Sequence, residues 1–151
     1  MISLRSFEPA DDAALISWLR SPEELVLFTG PVLSWPLTAD QLDALRANPK
    51  FTAFTATDAD EVVGHIELIS TGPDSARMGR VLVDPAKRGL GLGEQLVRAL
   101  IAEAAARGIR TLGLFVFPDN TPAVRLYEKL GFENCGASDL LAGSEVMELA
   151  L

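Results

Sequence analysis

Histidine, tyrosine and cysteine occur once each in the 151 residues, at His65, Tyr127 and Cys135, and each scarcity excludes something. A lone cysteine cannot close an internal disulfide, which suits a reducing compartment and a cytoplasmic protein. With one cysteine and one histidine, a zinc site would need mostly carboxylate ligands, a donor set such sites rarely use. No metal is expected. No apolar run reaches the length that spans a bilayer, and the opening Met-Ile-Ser-Leu-Arg-Ser-Phe lacks the basic-then-apolar layout of a signal peptide. Basic residues are also few, 13 Lys and Arg against 21 Asp and Glu, for a net charge of −8. Nucleic-acid affinity comes mainly from Lys and Arg contacts to phosphate, so nucleic acid is a poor candidate partner. The acidic balance suits a cationic acceptor such as an amine.

What is present is apolar and ordered into one unit. At 48% hydrophobic, residues 1–151 read as a single domain with a full core. Ile2 to Phe7 reads as a strand, and Pro9-Ala-Asp-Asp opens a helix with Ala14, Leu15, Trp18 and Leu19 on one face. Residues 28–37 read as an irregular aromatic loop. Thr38 caps a helix with Leu42 and Leu45 inward. Strands over 51–57, 61–71 and 75–84, joined by polar turns, predict an antiparallel meander. A helix over 91–107, a buried strand from Thr111 to Phe117, a helix over 121–130 and strands over 132–137 and 145–151 complete a mixed α/β sheet with helices on both faces.

Residues 80–93, Arg-Val-Leu-Val-Asp-Pro-Ala-Lys-Arg-Gly-Leu-Gly-Leu-Gly, carry the strongest chemical signal. A β-branched run stops at Asp84-Pro85, and Gly89, Gly91 and Gly93 then open the long helix. Strand, glycine loop and helix N-terminus together bind phosphates, because backbone N–H groups and the helix dipole meet the oxygens. Arg77, Arg80, Lys87 and Arg88 gather around this proposed phosphate site, where local sign counts for more than the total. A P-loop needs Lys then Ser or Thr after its last glycine, and Gly93 is followed by Glu94-Gln95. The dinucleotide fingerprint fits neither register, with Glu94 or Leu96 where its third glycine belongs.

What remains is Arg-x-x-Gly-x-Gly (Arg88, Gly91, Gly93) after a strand ending Val-Asp-Pro. This resembles the acetyl-CoA loop of the GNAT superfamily of N-acetyltransferases. Downstream, Asn120-Thr-Pro-Ala-Val-Arg-Leu-Tyr127-Glu-Lys-Leu-Gly131-Phe132 is similar to the second GNAT motif: an asparagine, a tyrosine seven residues on, and a closing Gly-Phe. Two motifs in order, one helix and one strand apart, make the match specific over residues 80–133.

The resemblance implies acetyl transfer from acetyl-CoA to a primary amine, by direct attack in a ternary complex. It places the pantetheine arm on backbone groups of Val81, Leu82 and Val83, and the pyrophosphate on N–H groups of Arg88, Gly89, Leu90, Gly91, Leu92, Gly93 and Glu94. Tyr127 lies on a helix face with Ala123, Leu126 and Leu130, so it points inward. An arbitrary tyrosine there is a core aromatic; the family motif assigns it as the general acid that protonates the coenzyme A thiolate. Asn120 caps the helix, contacts the cofactor, or does both.

The general base departs from the better-known family patterns. Where some members carry a glutamate five residues before the motif asparagine, this chain has Phe115; where others place one early on the glycine-loop strand, it has Ala76, Arg77 and Met78. The nearest substitute is Glu67. Strand alternation puts His65 and Glu67 on one face and Val62, Gly64, Ile66 and Leu68 on the other. Glu67 as base, with His65 lining the acceptor pocket, stands against two exposed side chains on a half-solvated strand. Family members also work with no dedicated base. Phe28 and Trp35 lie where the family shapes its acceptor site, as a pocket wall or as an ordinary loop packing on the core. Cys135 lacks a neighbouring base or positive field, so it reads as a buried structural cysteine rather than a nucleophile. A homodimer through the terminal strand 146–151 is conceivable on pattern alone. The alternative function is a non-catalytic acyl-CoA-binding sensor or interaction domain.

Overall fold

The computed structural model describes residues 1–29 and 33–151, and seven strands among these form one sheet. In chain order the elements are β1 (Ile2–Ser6), α1 (Asp12–Trp18), α2 (Pro22–Thr29), α3 (Ala39–Ala47), β2 (Phe51–Asp58), β3 (Glu61–Ser70), β4 (Ser75–Val83), α4 (Leu92–Ala106), β5 (Thr111–Val116), α5 (Thr121–Lys129), β6 (Glu133–Ala137) and β7 (Glu145–Ala150). The sheet order is β1-β2-β3-β4-β5-β7-β6. β2, β3 and β4 form the expected antiparallel meander, and β1 adds to it antiparallel beside β2. β4 and β5 alone run parallel, and α4 is the crossover that a parallel pair requires.

Each sheet face has its own core. On one, the α4 stripe of Leu92, Leu96, Val97, Leu100 and Ala104 packs against Ile66, Met78, Leu112, Leu114 and Met147, joined at the edge by α5. Burying each such side chain stabilises the fold by about 1.5–3 kcal/mol. On the other, α1, α2 and α3 cover Phe7, Ala53, Val62 and Leu82 with Leu15, Trp18, Leu25, Phe28 and Leu42. Two carboxylates clamp this second layer. Asp11 accepts both Arg5 guanidinium nitrogens at 2.8 Å and the Thr55 hydroxyl at 2.8 Å; Asp12 accepts the Arg46 fork from α3. Burial alone pushes the Asp11 carboxyl up, but the Arg5 fork, the Glu8 N–H and the Thr55 hydroxyl outweigh it and hold it at about 2.

Four expectations need correction. Phe28 closes the helix α2 rather than sitting in a loop. Ser21 Oγ accepts the Glu24 N–H and the Glu24 carboxylate accepts the Arg20 N–H, so Ser21-Pro22-Glu23-Glu24 is a helix-start pattern. Residues Gly30 and Pro31 of the predicted loop lie outside the described residues. Second, Val62 does not share a face with Gly64, Ile66 and Leu68. A bulge at Val63 shifts the β2–β3 register, and Val62 packs under α1–α3 while Val63 joins the α4 core. Third, β7 is paired on both sides, by β5 and β6, so it has no free edge for a partner copy. Fourth, Cys135 is exposed, because β6 is an edge strand with every residue exposed.

Candidate active site

β4 delivers the chain to the glycine loop. It ends at Val83, and the Asp84 carboxylate accepts the Ala86 N–H to set the turn. Gly91 is the N-cap of α4 at φ +76°, and Gly89 has φ +82°, a left-handed backbone that side chains resist. Gly91 offers no side chain to the helix start, and the first helical bond is from the Gln95 N–H to the Gly91 carbonyl. The N–H groups of Leu92, Gly93 and Glu94 therefore remain available. A Cβ on Gly89, Gly91 or Gly93 would meet no heavy atom within 4 Å, so the three glycines keep the space outside the loop clear.

A cavity of about 340 Å³ opens there, lined by Val81, Leu82 and Val83 from β4 and by Lys87, Arg88, Gly89, Gly91, Leu92 and Gly93. Leu90 points to solvent at 67% exposure, and Glu94 and Asn120 do not line the cavity. The Glu94 carboxylate turns to Lys129 (2.7 Å) and Arg98 (3.1 Å), which hold its pKa down, Lys129 foremost. Asn120 accepts the Ala123 N–H at 3.4 Å as the cap of α5. β4 and β5 pair only over Ser75–Arg77 and Thr111–Gly113. From Met78 onward the β5-facing edge of β4 is therefore open, with backbone groups free to bond a ligand that carries amides.

Glu67 and His65 are both buried, which removes the half-solvated reading: Glu67 is 0% exposed and His65 2%. His65 Nε2 lies 2.7 Å from Glu67 Oε2, and Arg80 Nη1 donates to Glu67 Oε1 at 2.7 Å. His65 Nδ1 and Arg80 Nε are buried with no partner among the described residues. Phe7 and Phe28 pack edge-on against the imidazole, at 4.8 and 5.7 Å between centroids. Arg80 reaches Glu67 because β4 carries a bulge at Arg80-Val81 opposite Ile66, with Arg80 at φ +47°. That backbone costs on the order of 1–2 kcal/mol. Sequence gives no warning of it, since nothing in the residue type favours a left-handed arginine.

The four basic residues divide. Lys87 and Arg88 line the glycine-loop cavity, but Arg77 and Arg80 do not gather at it. Arg80 serves Glu67, and Arg77 lies over the Phe115 ring at 4.7 Å. Tyr127 packs against the α4-side core and edge-on to Phe132, 5.7 Å between centroids. Burial raises its phenol pKa, so it stays protonated at neutral pH. It does not line the glycine-loop cavity. Trp35 is 43% exposed. The Cys135 thiol donates to Glu148 Oε1 at 3.1 Å, and that bond first, with the Glu148 charge, raises its pKa, against any thiolate role.

The class of protein follows from this geometry: a mixed sheet parted between two parallel strands, beside a loop of free N–H groups, takes a long ligand bearing both amides and phosphates. Residues 13–132 match the acetyltransferase (GNAT) family, and the chain belongs to that family, whose co-substrate is acetyl-CoA. It is 38% identical over 146 residues to a mycothiol acetyltransferase of Salinispora tropica, covering 90% of this chain and 46% of that protein. It is 34% identical over 143 residues to one of Actinosynnema mirum, covering 87% and 44%. The chain thus spans about half the length of these curated relatives. The fold matches the aminoglycoside acetyltransferase AAC(6')-Ib in complex with coenzyme A, with TM-score 0.80, 24% identity, and coverage of 99% of this chain and 95% of that one. No helix among the described residues is long and apolar enough to cross a membrane.

Proposed function

We propose that this chain transfers an acetyl group from acetyl-CoA to a primary amine by direct attack, in the cytoplasm. The amine nitrogen bonds to the thioester carbonyl carbon as the carbon–sulfur bond breaks, giving an N-acetyl product and the free thiol of coenzyme A. Glu67, directly or through a water, takes the amine proton, and the Tyr127 hydroxyl gives a proton to the leaving sulfur. Both residues exchange their protons with solvent before the next turn. His65, Phe28 and Trp35 shape the acceptor pocket. The open edge at Val81, Leu82 and Val83 holds the pantetheine amides, and N–H groups from Arg88 to Glu94 hold the diphosphate, with Asn120 at its side. Pairing of the sheet across a dimer axis would use β1 or β6.

The observation that carries this reading is the coincidence of the open β4 edge with the glycine-loop cavity. Free thiol, followed while acetyl-CoA is mixed with an amine panel, is expected to rise only when an amine is present. Heat of acetyl-CoA binding with no thiol above background would favour the sensor reading instead; the occupation of both Glu67 oxygens by Arg80 and His65 is the feature that supports that alternative.

Replacement of Gly91 tests the cofactor half separately. Valine at φ +76° is strained by about 1–2 kcal/mol or more, and its branches enter the space where the diphosphate is held. Gly91→Val is expected to weaken acetyl-CoA binding at least about tenfold by calorimetry. Unchanged affinity would remove the loop from the cofactor site.

A further inference from the structure

We infer that Arg77 recognises a carboxylate on the acceptor, so that the amines this chain acetylates are amino acids or short peptides with a free carboxylate. This inference rests on the acetyl-transfer reading and specifies its substrate class.

Arg77 is the anomaly in the charge pattern. The chain has 21 acidic side chains to 13 basic ones, and its other well-buried guanidiniums have carboxylates, Arg46 on Asp12 at 2.6 Å and Arg80 on Glu67 at 2.7 Å. Arg77 is half-buried on β4 and, among the described residues, has no carboxylate within ion-pair distance. Glu148 lies across from Gly113 in the β5–β7 register, and its carboxylate accepts the Cys135 thiol; Glu67 on β3 is held by Arg80 and His65. A desolvated cation without a counter-ion is unfavourable. Burial, and secondarily the charge of Arg80, lower the Arg77 pKa accordingly. An acceptor carboxylate would supply what the fold withholds.

The guanidinium is also prepared for such a ligand. Its Cζ lies over the Phe115 ring at 4.7 Å, as that of Arg80 lies over Phe51 at 4.9 Å. A cation–π contact of this kind steadies the guanidinium and engages none of its N–H donors in an ion pair. Gly113 lies opposite Arg77 in the parallel register and adds no side chain there; Phe115, two residues on, is the β5 side chain that the guanidinium covers.

Position sets the size of the acceptor. Gly79 pairs with Glu67, and Arg77 lies two residues earlier on the same face, about 7 Å along the strand at ~3.3 Å per residue. An acceptor whose amine meets Glu67 and whose carboxylate meets Arg77 is therefore a small one, with the two groups a short backbone apart. Because Glu67 offsets Arg80, the uncompensated charge on this face is that of Arg77. It opposes polycations, whatever the acidic total suggests.

The test compares free amino acids and dipeptides with their C-terminal amides, and with spermidine, as acceptors for the intact chain by thiol release. The acids are expected to exceed their amides in kcat/KM by about 10- to 100-fold, the range of a charge-assisted bidentate contact. In Arg77→Met the acid-to-amide ratio is expected to collapse towards one, and in Arg77→Lys to keep an intermediate value. A merely structural loss would lower both forms together and leave the ratio unchanged. Amides or spermidine reacting as well as the acids, or no acid reacting at all, would overturn the inference. Thiol release with the amides or spermidine, and acetyl-CoA binding by calorimetry on the same samples, separate the two levels: thiol released with any amine means only the carboxylate assignment falls, whereas heat with no thiol from any acceptor, or no heat in the native chain, means the acetyl-transfer reading falls too.

Discussion

Replacing Tyr127 with phenylalanine is expected to lower kcat by about 10²- to 10³-fold, the usual contribution of a positioned proton donor. The aromatic body stays where it is, since its packing against Phe132 and the α4-side core involves the ring. The hydroxyl has no protein partner among the described residues, so its removal strands no buried group. Thermal unfolding is accordingly expected to move little while turnover collapses. Burial holds the phenol above its usual range near 10. Deprotonation of Tyr127 would therefore limit the rate only at pH above that value, and an alkaline loss of activity nearer neutrality would have another origin. Turnover of Tyr127→Phe within threefold of native, at saturating acetyl-CoA and amine, would take the proton-donor role away from this residue.

Glu67→Gln is expected to act at two levels. Its carboxylate is the counter-ion of Arg80 and is wholly buried, and breaking such a pair from one side costs about 3 kcal/mol. The variant should unfold at lower denaturant concentration. If Glu67 also accepts the amine proton, kcat falls by about 10²-fold beyond any effect of the fold. Acetyl-CoA affinity separates the two. The glycine-loop cavity proposed to hold the cofactor lies past the bulge, lined by Val81 to Val83 and the loop, so folded Glu67→Gln should bind acetyl-CoA within about threefold of native. Turnover and affinity falling together would mean that Glu67 only props the strand, and full turnover at saturating amine would remove it from the chemistry altogether.

The glycine-loop half of the candidate site was legible in the sequence because its determinants are local. Left-handed glycines at a helix start, a Val-Leu-Val run before Asp-Pro, and a motif asparagine seven residues before a tyrosine are patterns of adjacent residues, and the element order followed from periodicity. The acceptor half was not, because its determinants are differences between strands. A bulge at Val63 reversed the facing of Val62, and another at Arg80-Val81 moved a basic side chain from the phosphate loop to Glu67. Both depend on pairing partners far away in the chain. Strand order was hidden for the same reason. Cys135 looked buried by type, and it became exposed because β7 inserted beside β5 and left β6 at the rim. α2 is the one omission the sequence could have corrected, since Ser21 to Glu24 carry the residues of a helix start.

The extra residue at Arg80 makes strand length a constraint in its own right. Facing repeats every second residue, so excising one position from this stretch would turn everything from Val81 to Val83 upside down. Valines now seated on the α4 core would face the helices opposite. Amides that now look across the gap would be spent on β3. Any change in the number of residues between Gly79 and Asp84 would therefore damage the proposed seat of the acyl carrier more than most exchanges of residue type within it.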